Sequence, residues 1–264
     1  MTWDFQRLRV ASAGQFLIST ALTVSLTAIA TSVQAVTFVS NRDALNETNR
    51  VDWSSVGAIF NSFGPPDPAV FLPSTFGIGS DAGLGVQVFI PEDTTPGLTP
   101  PFVFQTTPAP GIETNFDNGD FILFTGFIPG PPPTTGNPGP ITLTFDRPIL
   151  GAGAQLATDD TSSFTGTLSA FDENDNLLGT FSTPGTSSLA LDNTAQFFGV
   201  LDEHPIISKL EFKALVPGQA IGINQLSVVT ATTSVPEPSM GFALAFFVSL
   251  GLLGCQYQRE NHHA

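Results

Sequence analysis

The feature that most constrains the fold is the regular spacing of short β-rich runs between residues 36 and 234. These runs recur about every eight to twelve residues and are separated by glycine, proline and small polar residues. No stretch of this region keeps the apolar period of a helix over about ten residues. The pattern therefore predicts an all-β fold, an antiparallel jelly-roll-like β-sandwich, and disfavours alternating strands and helices.

The clearest local structure is predicted for Phe164–Phe181. Apolar or small residues alternate with Thr and Ser in its first half, the polar loop Asp172–Asn176 follows, and Leu177–Phe181 is again β-rich. This order predicts a β-hairpin. Other strands are predicted at Leu84–Ile90, Phe121–Phe124, Ile141–Phe145, Gln196–Leu201, Ile206–Phe212 and Ile221–Val229.

A short helix is predicted to begin near Ser40, whose side chain can cap it, and to end before Val51. Trp53 is predicted to belong to the hydrophobic core. Eight further side chains are expected to pack between the two sheets: Leu143, Phe145, Leu156, Leu168, Phe171, Phe198, Leu210 and Phe212.

Charge and cysteine content exclude several classes of protein. The chain has 23 acidic against 8 basic residues and a net charge of −15. Such a charge repels phosphate backbones, so nucleic acid is not expected as a partner. The single cysteine, Cys255, excludes an intrachain disulfide framework and any multi-cysteine metal site.

Residues 1–35 have the organisation of a secretory signal peptide. Arg7 and Arg9 precede the uncharged stretch Val10–Ala30, and Val33-Gln34-Ala35 provides small residues at positions −3 and −1 of a cleavage site. We therefore expect export by the Sec machinery and cleavage after Ala35. An uncleaved amphipathic or membrane helix is the alternative.

The C-terminal tail, residues 235–264, combines a proline-rich tripeptide with an apolar segment. Pro236-Glu237-Pro238 is followed by sixteen uncharged residues, Met240–Cys255, and then by Arg259. At about 1.5 Å per residue the apolar segment would span roughly 24 Å as a helix, which makes it a short transmembrane helix. The two prolines keep the tripeptide extended and accessible.

This tail resembles the PEP-CTERM sorting signal of bacterial surface and exopolysaccharide-associated proteins. The resemblance implies that Pro236, Glu237, Pro238 and Arg259 form a sorting motif read by exosortase, a membrane enzyme that cuts near the tripeptide. Arg259 stands alone beside Glu260, whereas the family usually has an arginine cluster. An ordinary single-pass anchor is the alternative.

The central region, predicted as one domain over residues 36–234, also resembles the body of cyanobacterial PEP-CTERM proteins. The segments that carry this likeness are Phe145-Asp146-Arg147-Pro148, Gly151–Leu156, Thr165–Asp172, Phe197-Phe198-Gly199-Val200 and Ile206–Phe212. That family body has no agreed activity. The resemblance therefore implies a fold and an exported location only.

The candidate catalytic residues are sparse. His204 is the only histidine outside the tail, and no Gly-x-Ser-x-Gly motif is present. The acidic pairs, such as Asp202-Glu203, are adjacent in sequence and would point in different directions on an extended chain. No catalytic residue is predicted, and a secreted hydrolase is the least favoured function.

The acidic residues favour calcium binding over a catalytic role. Asp172-x-Asn174-x-Asn176 copies the opening of an EF-hand loop, but Leu177 replaces the required glycine and Thr183 the final glutamate. A Ca²⁺ site is instead predicted from four aspartates, Asp159, Asp160, Asp172 and Asp192. The alternative is that these residues simply stabilise polar turns.

The sequence thus predicts a non-enzymatic exported protein of the cell surface or extracellular matrix, sorted through its tail and associated with extracellular polysaccharide. The alternative is a carbohydrate-binding module, either Ca²⁺-dependent or ice-binding. An ice-binding surface would need a regular Thr-x-Thr ladder, which is not evident in the sequence.

Overall fold

The computed structural model describes residues 36–231 except 62–63, 65–66, 109–110, 131–134 and 160–162. Both ends of the chain lie outside the described residues, and with them the predicted cleavage at Ala35, the motif Pro236-Glu237-Pro238 with Arg259, and the apolar segment Met240–Cys255. Within the described ranges, no helix is both long and apolar enough to cross a bilayer.

The described residues form fourteen strands and one short α-helix. In chain order these are β1 (Thr37–Val39), α1 (Arg42–Leu45), β2 (Asn49–Val51), β3 (Thr75–Gly79), β4 (Gly85–Phe89), β5 (Phe102–Gln105), β6 (Phe121–Phe124), β7 (Ile141–Ile149), β8 (Gly151–Thr158), β9 (Ser163–Phe171), β10 (Leu177–Thr186), β11 (Gln196–Leu201), β12 (Ile207–Ala214), β13 (Ile221–Ile223) and β14 (Leu226–Val229). Two 3₁₀ turns, Trp53–Val56 and Pro68–Val70, complete the regular structure of these residues.

The strands form two antiparallel sheets, so the predicted all-β sandwich is confirmed. The first sheet has the order β1-β11-β8-β13-β6-β5, and β14 continues along β8 beyond β13 and pairs with β2. The second sheet has the order β10-β9-β12-β7-β4-β3. All strand pairs within the sheets are antiparallel.

The main core lies between the sheets and follows from the two-residue period of a strand. In β9, Phe164, Leu168 and Ala170 point inward while Thr165 faces solvent, as the sequence predicts. Trp53 is also fully buried. Seven of the eight side chains predicted for this core are in it: Leu143, Phe145, Leu156, Leu168, Phe198, Leu210 and Phe212.

Phe171 is the exception, and its prediction as a core residue is wrong. It occupies an odd-numbered position of β9 and therefore falls on the outer face with the threonines. There the Lys209 ammonium lies 4.4 Å from the centre of the Phe171 ring. The ring thus takes part in a cation–π contact at the surface instead of packing between the sheets.

The hairpin and the helix are close to their predicted positions. β9 and β10 are joined by Asp172–Asn176, the predicted polar loop. Helix α1 is capped by Asn41, one residue after Ser40, because the Asn41 side chain accepts a hydrogen bond from the Asp43 amide. The predicted strand Ile221–Val229 is divided into β13 and β14 by Asn224 and Gln225.

A buried polar cluster occupies this division and connects Asn224 to four other parts of the chain. The Asn224 carboxamide oxygen accepts hydrogen bonds from the backbone amide of Gln155 and from the Arg42 guanidinium, each at 2.9 Å. Its nitrogen donates to the Asp120 carboxylate at 2.8 Å and to Gln155 Oε1 at 2.6 Å. The Trp53 indole donates to the Asn224 carbonyl oxygen at 2.8 Å. Every hydrogen-bonding group of the Asn224 side chain is therefore used inside the protein.

Candidate functional site

The outer face of the first sheet carries a second apolar layer. In β5 and β6, Val103 and Leu123 point into the main core, so Phe102, Phe104 and Phe124 point to the opposite face. There they form a phenylalanine-rich cluster with residues from neighbouring strands and loops: Phe60, Phe71, Ile112, Phe116, Ile122, Phe127, Ala157, Ala195 and Ala220. This sheet is thus buried on both faces at this end, which is unusual for an antiparallel sheet.

A cavity of about 260 Å³ lies over this cluster. Its floor is formed by β5, β6, β8 and β13, with Phe104, Phe124 and Ala157 among the lining residues. Gly222 in β13 allows the side chains of β6 to pack closely against the cavity floor, since a Cβ there would lie 2.8 Å from Ile122 and 3.2 Å from Phe124. The packing of the two strands therefore requires glycine at this position.

Two loop segments form the walls of the cavity. These are residues 112–116 and residues 187–189, and the first is tied to the chain that follows the second. The Leu191 amide donates to the Thr114 carbonyl at 3.0 Å, and the Ala195 amide donates to the Asn115 carbonyl at 2.9 Å. The Asn115 side chain adds a hydrogen bond to the Thr186 carbonyl at 2.8 Å. These bonds fix the walls relative to the sheet.

The polar groups of the cavity are concentrated on these walls and at the end of β8. Glu113, Asp159 and Ser188 line the cavity, and the two acids are exposed to solvent. Leu189 also lines it and remains 58 % exposed, which makes it one of the large apolar residues left in water by the described part of the chain. No lysine, arginine or histidine lines the described cavity. Its polar side is therefore acidic.

Asn115 has an unsatisfied acceptor beside the cavity. The residue is 1 % exposed, and its Oδ1 has no hydrogen-bond partner. The orientation of the amide follows from the Thr186 carbonyl, which can only accept and so requires the nitrogen on its side. A buried acceptor without a donor costs about 1–3 kcal/mol. A donor brought to this wall would recover that free energy.

A second depression of about 460 Å³ adjoins the first. It is lined by Phe60, Phe71 and Phe127, and Phe127 also lines the first cavity. The Phe102 ring contacts the aromatic residues of both cavities. Its centroid is 4.5 Å from that of Phe60 in the second and 5.3 Å from that of Phe124 in the first. The two cavities therefore share one aromatic cluster.

Three aspartates of the predicted Ca²⁺ site of Asp159, Asp160, Asp172 and Asp192 are among the described residues, and these three, Asp159, Asp172 and Asp192, do not form one group. Asp160 lies outside the described residues, and among those described no three His, Cys, Asp or Glu side chains are grouped as a metal would require. Asp159 follows β8 near the start of β9, whereas Asp172 follows the end of β9. That strand has nine residues and is roughly 25 Å long.

Asp172 instead stabilises its own hairpin loop. Its carboxylate accepts hydrogen bonds from the amides of Asn174 and Asn176, each at 2.8 Å, and from the Asn176 side chain at 2.9 Å. These bonds, those from Asn176 above all, lower the pKa of Asp172. Asp192 likewise accepts from the Thr194 hydroxyl at 2.7 Å. Both aspartates therefore have the turn-stabilising role that the sequence analysis kept as the alternative.

His204 lies in an exposed turn between β11 and β12, where its amide donates to the Asp202 carboxylate at 2.8 Å. This turn is not among the segments that line the aromatic cavity. The structure therefore does not connect the one histidine of the described region with the cavity.

The aromatic cavity was not predicted from the sequence, although two signals point to it. Six of the eight residues of Gly151–Thr158 are glycine, alanine or leucine, and every residue of this strand is buried in the structure. Phe121-Ile122-Leu123-Phe124 is apolar at consecutive positions, which is the pattern of a strand covered on both faces. Neither signal shows which loops cover the outer face of the first sheet.

Comparisons with known proteins give no family for this chain. No family model matches it, and no curated protein matches it. Among solved structures, it is similar to the crystal structure of a DUF4465 family protein from Bacteroides caccae, with 11 % identity and a TM-score of 0.36. The match covers 74 % of this chain and 100 % of that chain. A likeness of this size carries no argument about function.

Proposed function

We propose that this protein is a non-enzymatic exported protein that is sorted to the cell surface or extracellular matrix through its C-terminal tail and binds a small ligand in the aromatic cavity. The sandwich, of the jelly-roll kind, serves as the scaffold that holds the cavity walls. The observation that carries the binding function is the cavity itself, with a phenylalanine floor and polar walls fixed by backbone hydrogen bonds. Concave sites of this composition are the usual places where proteins bind small molecules.

The binding function predicts that filling the cavity abolishes binding without unfolding the protein. Ala157→Leu places three further carbon atoms over the cavity floor, while Ala82→Leu adds the same atoms to an exposed turn between β3 and β4. A ligand screen by ligand-detected NMR on the exported protein should find compounds that bind the wild type and Ala82→Leu but not Ala157→Leu. If no compound depends on Ala157, the cavity is not a binding site.

A polysaccharide is the second candidate ligand, because carboxylates, hydroxyls and an amide along the walls are groups that bind sugar hydroxyls. Glu113, Thr114 and Ser188 provide such groups beside the aromatic rings. A glycan array, probed with and without EDTA, tests this candidate together with any requirement for Ca²⁺. Binding that survives Ala157→Leu would place the glycan on another surface.

The sorting function rests on the tail sequence. Pro236-Glu237-Pro238 supplies an extended, charged recognition element, and Met240–Cys255 would hold it at the membrane. Replacing the tripeptide with Ala-Ala-Ala should trap a longer, membrane-bound form in a host that has exosortase. In a host without the enzyme, wild type and variant should have the same mass. Equal mature mass in the exosortase host would contradict the sorting function.

A further inference from the structure

Polar groups that line the aromatic cavity are engaged within the protein, and this limits the class of ligand that the cavity can hold. The inference rests on the binding function proposed above. The Thr158 amide donates to the Ser187 hydroxyl at 2.7 Å, and the hydroxyls of these two residues are 3.0 Å apart. Both residues are buried. Their hydroxyls are therefore bonded to each other and to the backbone at the end of β8.

The polar groups of the two wall loops are engaged in the same way. The Thr114 hydroxyl accepts from the Phe116 amide at 3.2 Å, and the Ser188 hydroxyl accepts from the Ala190 amide at 3.3 Å. The Asn115 nitrogen donates to a backbone carbonyl at 2.8 Å, and its unpaired oxygen has almost no exposed surface for a ligand to contact. The described lining therefore offers a ligand no buried polar partner that is both unpaired and accessible.

The acidic residues of the lining do not change this conclusion. Asp159 already has an interaction partner within the protein, and Glu113 is exposed to solvent. Even with an ionised Glu113, an exposed ion pair would strengthen binding by about five-fold or less. Removing an ammonium group from water costs more than such a pair returns. A charged ligand group therefore gains nothing by entering the cavity.

The apolar part of the lining provides the affinity. Phe104, Phe116 and Phe124 line the cavity, and Leu189 lines it while its side chain is still 58 % exposed. A ligand that covers these groups removes apolar surface from water, which strengthens binding roughly in proportion to the area buried. The volume of about 260 Å³ lies just below the range of roughly 300–1,000 Å³ of drug-sized sites, so one substituted ring would fill it.

We propose that the cavity selects an uncharged, predominantly apolar molecule of about the size of one substituted ring, and that a hydroxyl or ammonium group on this molecule weakens its binding. The affinity comes from burial of apolar surface against the phenylalanine floor and Leu189. A glycan, whose surface consists mainly of hydroxyl groups, would then bind elsewhere on the protein. Because no ion pair contributes, the affinity should change little between low and physiological salt.

Three probes with the same number of non-hydrogen atoms test this ligand class: ethylbenzene, benzyl alcohol and benzylamine. They differ only in one terminal group, which is a methyl, a hydroxyl or, at pH 7, an ammonium group. Their dissociation constants are measured on the purified protein by NMR titration. We expect ethylbenzene to bind at least about five-fold more tightly than either polar probe, because a polar group buried without a new partner loses its hydrogen bonds to water.

Leu189→Ala tests the apolar wall at an exposed position, where the fold does not depend on the side chain. It should weaken the binding of ethylbenzene by about two- to four-fold, because less apolar surface is covered in the complex. Leu177→Ala is the matched control. Leu177 is 57 % exposed, but it begins β10 and is not among the residues that line the described cavity. This substitution should leave the affinity unchanged.

The outcomes separate the ligand class from the binding function itself. If the preference for ethylbenzene is smaller than five-fold, or a polar probe binds best, while Ala157→Leu blocks binding, the cavity binds ligands but the class is wrong. The class is also wrong if Leu189→Ala and Leu177→Ala have the same effect on ethylbenzene. If none of the probes and no screened compound depends on Ala157, the binding function and the ligand class both fail.

Discussion

Asn224→Ala tests whether the polar cluster between β13 and β14 holds the first sheet together. Asn224 is 3 % exposed, and its side chain makes two accepted and two donated hydrogen bonds. The substitution removes all four. Arg42 retains its bond to the Gln225 carbonyl, and the half-buried Asp120 can be rehydrated. The loss is therefore concentrated on Gln155.

The magnitude follows from the two Gln155 groups that lose their partner. The Gln155 backbone amide and its Oε1 both bond to Asn224, and the residue is buried. At about 1–3 kcal/mol for each buried unsatisfied group, two groups give roughly 2–6 kcal/mol. Because a water molecule can enter the space left by the amide, we expect the lower part of that range, about 2–4 kcal/mol.

Chemical denaturation of the purified protein measures this loss as a fall in the free energy of unfolding. In a thermal scan it corresponds to a decrease of roughly 5–15 °C for a domain of this size. Asn174→Ala is the matched control, since Asn174 is exposed in the β9–β10 loop and should change stability by less than about 0.5 kcal/mol. A loss below about 1 kcal/mol for Asn224→Ala, or one equal to that of the control, would refute the reasoning.

Three further predictions concern the core, the pH dependence and the N-terminus. Leu168→Ala removes a fully buried side chain from between the sheets and should lower the free energy of unfolding by about 2–5 kcal/mol in denaturant titration; a loss typical of a surface site would show that the core is misplaced. Burial raises the pKa of Asp120. At pH values between the pKa of the unfolded state and that of the folded state, Asp120 is protonated in the folded protein and ionised in the unfolded protein. The free energy of unfolding therefore falls as pH rises above about 4. Asp120→Asn keeps an acceptor for Asn224 and should therefore gain stability relative to wild type between about pH 4 and 7, as measured by unfolding at each pH; a constant difference would contradict this. N-terminal sequencing of the exported protein should begin at Val36, and a start at Met1 would disprove cleavage after Ala35.

Local patterns were sufficient to predict much of the second sheet. The alternation in β9 and the polar loop Asp172–Asn176 identify a hairpin because consecutive strands pair through a short turn. The same alternation should have excluded Phe171 from the core, since its odd-numbered position shares a face with Thr165 and Thr167. The position of a residue in the alternation, and not the size of its side chain, decides which face of the sheet it occupies.

The first sheet was harder to predict because its pairings join distant parts of the chain. β8 pairs with β11 on one side and with β13 and β14 on the other, and none of these is its neighbour in sequence. Strands β1 and β2 have only three residues each and are too short to show a period. Asn224 divides the predicted strand Ile221–Val229 through hydrogen bonds to residues up to 182 positions away, which local sequence does not show.

Sequence proximity is also a poor guide to the predicted metal site. Asp159 and Asp172 are close in sequence, but an extended strand carries the chain away at about 3.3 Å per residue. The aromatic cavity depends in turn on loops 112–116 and 187–189 meeting over β5 and β6. Each loop mixes polar residues with one or two apolar ones, Ile112 and Phe116 in the first and Leu189 in the second, so neither loop alone marks the wall of an apolar cavity.

The most direct test of ligand binding in the aromatic cavity is an NMR titration of the purified protein, labelled with ¹³C in its phenylalanine rings, with the tightest ligand from the screen. The account predicts shifts at Phe104, Phe116 and Phe124, which line the cavity, and loss of those shifts in Ala157→Leu. Shifts confined to Phe89 and Phe171 on the outer face of the second sheet, with the cavity rings unchanged, would contradict it.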